Sequence, residues 1–229
     1  MMAETGICST LTKMIRIKSV VFLLTFFSAC TVHAESNALS FPNSYQMTAD
    51  KAKELGLPPV DFSLSYQDGI ETIEPAVGKL NESYIELLSR GSDGKLREVL
   101  TLRYAVNAGW LQASGTLGEF GRLLFDRLFE QFATNLRDSF PNAESIEIVE
   151  STWRGIKGKQ LRARLHVTDP DQNLDDDVLM LIVVAPPPRE TQNGVLVIMQ
   201  AIEGSEIVTF SDFGTTGMPI EVLRTFEFE

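Results

Sequence analysis

From residue 60 the chain alternates apolar and polar positions with a period of two. Val60, Phe62, Leu64 and Tyr66 share one face of a strand predicted over 60–66. Asp68-Gly69 signals a turn. Further strands are predicted at 70–73, 83–89 and 96–104, with Ser92-Asp93-Gly94 turning the chain between the last two. In 96–104 odd and even positions are both partly apolar, which suits a central strand.

The period then changes. A glycine-containing loop over 107–117 leads into a helix predicted over 118–139. Phe120, Leu124, Leu128, Phe132 and Leu136 recur there at helical spacing, with Phe125 and Phe129 widening the stripe. Pro141 ends the helix, because its ring and missing N–H cannot continue one. The stripe is expected to be core. Strand patterns resume at 145–153, 159–167, 178–185 and 194–202. Gly155 and Gly158 are expected to supply one hairpin turn, and 169–177 a longer acidic loop. Pro186-Pro187-Pro188 and Asn193-Gly194 punctuate the next connection. A short helix at 219–223 and a strand at 224–228 close the chain. Strands, one long helix, then a β-meander predict an α+β fold: a mainly antiparallel sheet packed against one long amphipathic helix and shorter helices.

Upstream the pattern is different. Met14-Ile15-Arg16-Ile17-Lys18 precedes the apolar run Val20 to Phe27, and small or polar residues follow to Val32-His33-Ala34. A basic segment, a short apolar run and a small-residue site are the parts of a signal peptide. The run is too short for a stable membrane anchor, which needs about 20 residues. Residues 1–34 are therefore expected to be a signal peptide with an upstream extension, translation starting at Met14 rather than Met1. Cleavage after Ala34 would release a soluble periplasmic protein. The alternative is the lipobox-like Phe26-Phe27-Ser28-Ala29-Cys30, which would leave a lipid anchor on Cys30 and is the one route to a membrane. Residues 35–59, with Pro42, Gly56 and Pro58-Pro59, read as a polar linker or as a short helix capped by Thr48 and stopped by Gly56. Residues 60–229 read as a single domain.

Composition adds exclusions. Beyond residue 34 there are 17 basic and 30 acidic side chains, net −13. Such a surface repels phosphate backbones and anionic lipid headgroups, which argues against nucleic-acid partners. Cys8 and Cys30 both precede residue 35, so the domain holds no thiol for a disulfide, a thiolate metal site or a nucleophile. His166 is the lone histidine after the leader, and alternation places it beside Arg162 and Arg164 on the polar face of its strand. There is no Gly-x-Ser-x-Gly elbow and no phosphate-cradling glycine loop.

The loop from Asp169 to Asp177 begins like a calcium loop with Asp169, Asp171 and Asn173. It then places Leu174 where the sharp turn wants glycine and Met180 where a bidentate Glu belongs. It reads as a solvated hairpin turn, with divalent-ion binding the alternative. Trp110 and Trp153 are candidates for lining a ligand groove, Trp110 the more so, against the alternative of local packing. No catalytic, cofactor-binding or metal-ligating residue is singled out, and no cofactor is expected.

The order of elements over 60–229 resembles the PsbP-like α/β sandwich superfamily. That superfamily includes the extrinsic PsbP subunit of photosystem II and bacterial periplasmic proteins and lipoproteins of the DcrB type. The resemblance rests on the opening Phe62-Ser63-Leu64-Ser65-Tyr66, the long helix, the strand-glycine turn-strand segment from Ser151 to Arg164, and the closing Val222 to Phe228. The chain departs from the family in lacking a Trp in the first hairpin, in the extra loop at 107–117 and in a short C-terminal helix. The resemblance implies an α/β/α sandwich and a role as an accessory or binding protein without catalysis. The expectation is an exported, non-enzymatic protein of the bacterial envelope with an envelope protein as partner. A small-ligand or divalent-ion binder and a carboxylate-based hydrolase are the alternatives.

Overall fold

The computed structural model describes residues 41–169 and 174–229. The leader, with the choices at Met14, Cys30 and Ala34, lies outside the described residues, as do Asp171 and Asn173. Strand β1 (Asn43–Met47) and helix α1 (Ala49–Glu54) come first. Thr48 caps α1 by accepting from the Lys51 N–H at 3.2 Å. Both belong to the compact unit Phe41–Glu229, so the domain begins well before residue 60. Apolar alternation missed β1 because only Tyr45 and Met47 are buried in it.

Next come β2 (Phe62–Tyr66), β3 (Glu71–Ile73), β4 (Ser83–Arg90) and β5 (Leu96–Ala105). A 3-10 turn at Ala108–Gln112 precedes helix α2 (Gly115–Ser139). Then follow β6 (Ser145–Trp153), β7 (Ile156–Asp169), β8 (Leu174–Ala185), β9 (Gly194–Ile202), α3 (Met218–Thr225) and β10 (Glu227–Phe228). The fold is α+β, with two sheets in which every pairing is antiparallel. The large sheet has seven strands in the order β3-β4-β5-β9-β8-β7-β6. The small one has the order β1-β2-β10.

One face of the large sheet presents Leu87, Leu100, Val197, Met199, Leu181 and Val183, all buried. The small sheet, α1 and α3 cover it. Phe62 sits at the centre of that layer, its ring 5.3 Å from Phe226, 5.6 Å from Tyr84 and 6.1 Å from Tyr45. The two tyrosine hydroxyls are buried but satisfied, Tyr45 donating to the Tyr84 carbonyl at 2.6 Å and Tyr84 to the Pro58 carbonyl at 2.7 Å. Burial pushes both phenols well above their ordinary range.

Helix α2 packs on the opposite face, across β6 and β7. Its contact line keeps Phe125, Phe129 and Leu136 of the stripe that periodicity predicts but not Phe120 and Leu124. The buried residues are Gly118, Gly121, Phe125, Phe129, Ala133 and Leu136, whereas Leu117, Phe120, Leu123 and Leu124 are exposed. The reason is steric. A Cβ on Gly121 would lie 2.8 Å from the Trp110 backbone, so two glycines let the first turns of α2 press onto the 3-10 turn. That contact rotates the helix away from its Phe120–Leu124–Leu128 line. Spacing of large apolar side chains cannot register a face made of glycine.

The C-terminal segment is tied in by one buried acid. Glu98 on β5 is 5% exposed. It accepts from the Ser205 hydroxyl at 2.7 Å and from the Met218 N–H, in the first turn of α3, at 2.6 Å. A carboxylate there satisfies a helix N-terminal donor and favours the helix dipole. Glu98→Ala is expected to lower unfolding stability by about 3 kcal/mol, and Ser205→Ala by about 1 kcal/mol, in denaturant titrations. A loss under about 0.5 kcal/mol for Glu98→Ala would show that the segment is held by packing alone.

Candidate functional site

The β7–β8 ladder ends before its strands do. Pairing runs from Asp169–Leu174 to Gln160–Val183. Beyond that pair β7 continues to Ile156, bonded to β6, and β8 continues to Ala185, bonded to β9. The sheet is therefore split along a short seam. Two local features account for it. Continued in register, Lys159 would face Val184, Gly158 Ala185 and Lys157 Pro186, and Pro186 is the first of three prolines without an N–H to donate. On the other side, Arg154 and Gly155 form a two-residue turn with φ 46° and 87°, the left-handed pair that a type I′ hairpin requires. The Arg154 guanidinium then donates to the Phe226 carbonyl at 2.5 Å, holding the hairpin tip against the small sheet. Gly158, expected in the turn, lies inside β7 instead.

Helix α2 crosses this seam and leaves an open cleft of about 320 Å³. Its walls are apolar: Phe125 and Phe129 from α2, Leu111 from the 3-10 turn, Val184 from β8, and Trp153 and Ile156 from the hairpin tip. Charges stand at the rim. Lys159 Nζ is 3.1 Å from the Asp126 carboxylate, a half-exposed pair. Arg122 and Lys157 also line the cleft, and among the described residues neither has a carboxylate within ion-pair distance. Such a site can hold an apolar group and offer positive charge at its mouth.

The two tryptophans exchange roles relative to expectation. Trp153 lines the cleft. Trp110 packs locally, with its backbone against Gly121 and its ring 5.6 Å from Phe120. Nothing in the one-dimensional pattern distinguishes them, since the cleft depends on where the β7–β8 pairing stops.

The acidic segment is partly strand. Asp175, Asp176 and Asp177 lie in β8 opposite Thr168, Val167 and His166. His166 is half-exposed, and its Nε2 is 2.9 Å from Asp175 while its Nδ1 is 3.0 Å from Asp177. Two of the loop's carboxylates thus face an imidazole. Among the described residues no cluster of three or more potential metal ligands occurs. Elsewhere, burial raises Glu86, offset by Ser83 and Arg103, and burial with the neighbouring Glu98 raises Glu221, whereas hydrogen bonds lower Asp93 and Asp212.

No protein-family model matches the chain, and no curated protein matches it.

The Asp177 hydrogen bond and the Asp175 charge raise the His166 pKa above the ordinary 6.5. The folded state therefore binds this proton more tightly than the unfolded chain. The contribution is full below pH 6.5 and disappears as pH rises through the folded value. An NMR titration of the His166 ring is expected to give a midpoint above 6.5, and Asp177→Asn is expected to bring it back towards that value. An unshifted midpoint in the unsubstituted protein would remove the pairing.

Proposed function

We propose that this chain is an exported, non-enzymatic binding or accessory protein of the bacterial cell envelope, and that the cleft over the β7–β8 seam is its working surface. The export part of the reading draws on the leader pattern ending at Ala34, which favours release into the periplasm over anchoring through Cys30. The binding part is carried by one observation: a sheet left unzipped beneath a helix, lined by apolar side chains and edged by two cations that have no carboxylate within ion-pair distance among the described residues. Closed cores do not retain such openings without cost, since each unmade contact forfeits dispersion and burial. We also read the three layers, α1 and α3 with the small sheet, then the large sheet, then α2, as a PsbP-like α/β/α sandwich, and the accessory role implied by that family agrees with the binding reading. An envelope protein is the expected macromolecular partner.

A photocrosslinking residue placed at Thr152, on the exposed hairpin tip, is expected to give discrete adducts in intact cells. The same residue at Glu54, on exposed α1, is expected to give none. Absence of adducts at Thr152, or equal adducts at both positions, would remove the cleft as the working surface. Mass spectrometry of the mature protein is expected to show Glu35 as its first residue, and a lipidated Cys30 would overturn soluble release.

A further inference from the structure

Charge at the cleft runs against the charge of the molecule. The chain carries −11 overall, yet the rim holds Arg122, Lys157 and Lys159 against Asp126 and Glu150. The Lys159–Asp126 pair at 3.1 Å uses one cation and one acid. Glu150 lies directly opposite Lys159 in the β6–β7 register, on the same side of the sheet. Arg122 and Lys157 remain, both exposed to solvent and both beside apolar wall.

These features select a ligand class. A ligand filling the apolar walls brings its head beside two solvent-exposed cations, and an anionic head gains charge-assisted hydrogen bonds there. A neutral molecule of the same shape forgoes that gain. A cation is repelled by the same two side chains. A polyanion meets Glu150 at the rim and the acidic surface beyond. The size of the opening, about 320 Å³, lies at the lower end of ordinary small-molecule sites. It is open on one side, so a tail longer than the cleft has somewhere to go.

We infer that the cleft binds a single-chain anionic amphiphile, its apolar tail lying along the seam between Phe125, Phe129 and Trp153 and its monoanionic head meeting Arg122 and Lys157. The inference rests on the reading of the cleft as the binding surface and adds the ligand class to it. Trp153 lines the cleft through the seam while also packing against the core beneath the small sheet, so its fluorescence reports occupancy, and Trp110 is not among the lining residues.

The purified protein would be titrated with dodecanoate, dodecan-1-ol and dodecyltrimethylammonium below their aggregation limits, by calorimetry and tryptophan fluorescence. Dodecanoate is expected to bind one-to-one and to change the fluorescence, and Trp153→Phe to abolish that change while binding heat persists. The double variant Arg122→Gln/Lys157→Gln is expected to weaken dodecanoate about tenfold or more. It should leave the thermal midpoint unchanged, because both side chains are exposed. Dodecan-1-ol binding is expected to be weak and indifferent to the double variant. No dodecanoate binding, equal binding of the alcohol, or an unaffected double variant would each overturn the inference. If dodecanoate fails while crosslinks at Thr152 still form, the ligand class falls and the binding surface stands. If both fail, the surface falls as well.

Discussion

Strand β8 is buried on both faces, and the architecture follows from that constraint. Every residue from Val178 to Ala185 is buried. An antiparallel strand with no polar face cannot lie at a solvent boundary, because each exposed aliphatic side chain would forfeit about 1.5–3 kcal/mol of burial. Its odd-numbered side, Leu179 to Ala185, needs the small sheet and α3 above it. Helix α2 belongs to the other side of the same sheet, laid across the adjoining β7 and β6. Two layers cannot meet this demand, and the C-terminal residues that complete the third layer are those held by Glu98. The buried carboxylate is thus the fastening of a layer whose necessity arises two strands away.

Much of this arrangement was legible in the sequence. The strands at 145–153 and 194–202 coincide with β6 and β9, and 83–89 and 96–104 fall within a residue of β4 and β5. Long alternating or apolar runs carry their own period, so their pairing partners are hardly needed to recognise them. Local rules failed where a residue's role is set from outside its own segment. The stripe through Phe120 looked like core because apolar spacing weighs side-chain size, whereas α2 seats itself on Gly118 and Gly121. Strand β1 escaped notice because it follows a polar segment and gains its order from pairing with β2.

The cleft was less legible. Trp153 and Trp110 were both candidates, and the weaker one lines it. What makes the site is the end of a hydrogen-bonded ladder at Gln160–Val183, a property of two strands brought together. One component was visible, the proline run at 186–188, though as punctuation between elements and not as the reason a sheet would part. The Arg154 contact to Phe226 links residues on adjacent layers, and no spacing rule anticipates it. For His166 the sequence placed the ring on the polar strand face, and the structure adds the two aspartates that flank it.

The path of the chain through the large sheet bears on how the protein reaches its native state. Strands β3, β4 and β5 form one meander, and β6 to β9 form another, each built from neighbours in sequence. The two meet only where β5 pairs with β9, from Glu98–Ala201 to Ala105–Gly194, residues separated by roughly half the domain. Loop-closure entropy makes that junction the slow one, while each meander can collapse early from local contacts. The split seam lies wholly inside the second meander. Its opening is therefore available to form before the halves join, and maturation of the cleft is separable in time from closure of the core.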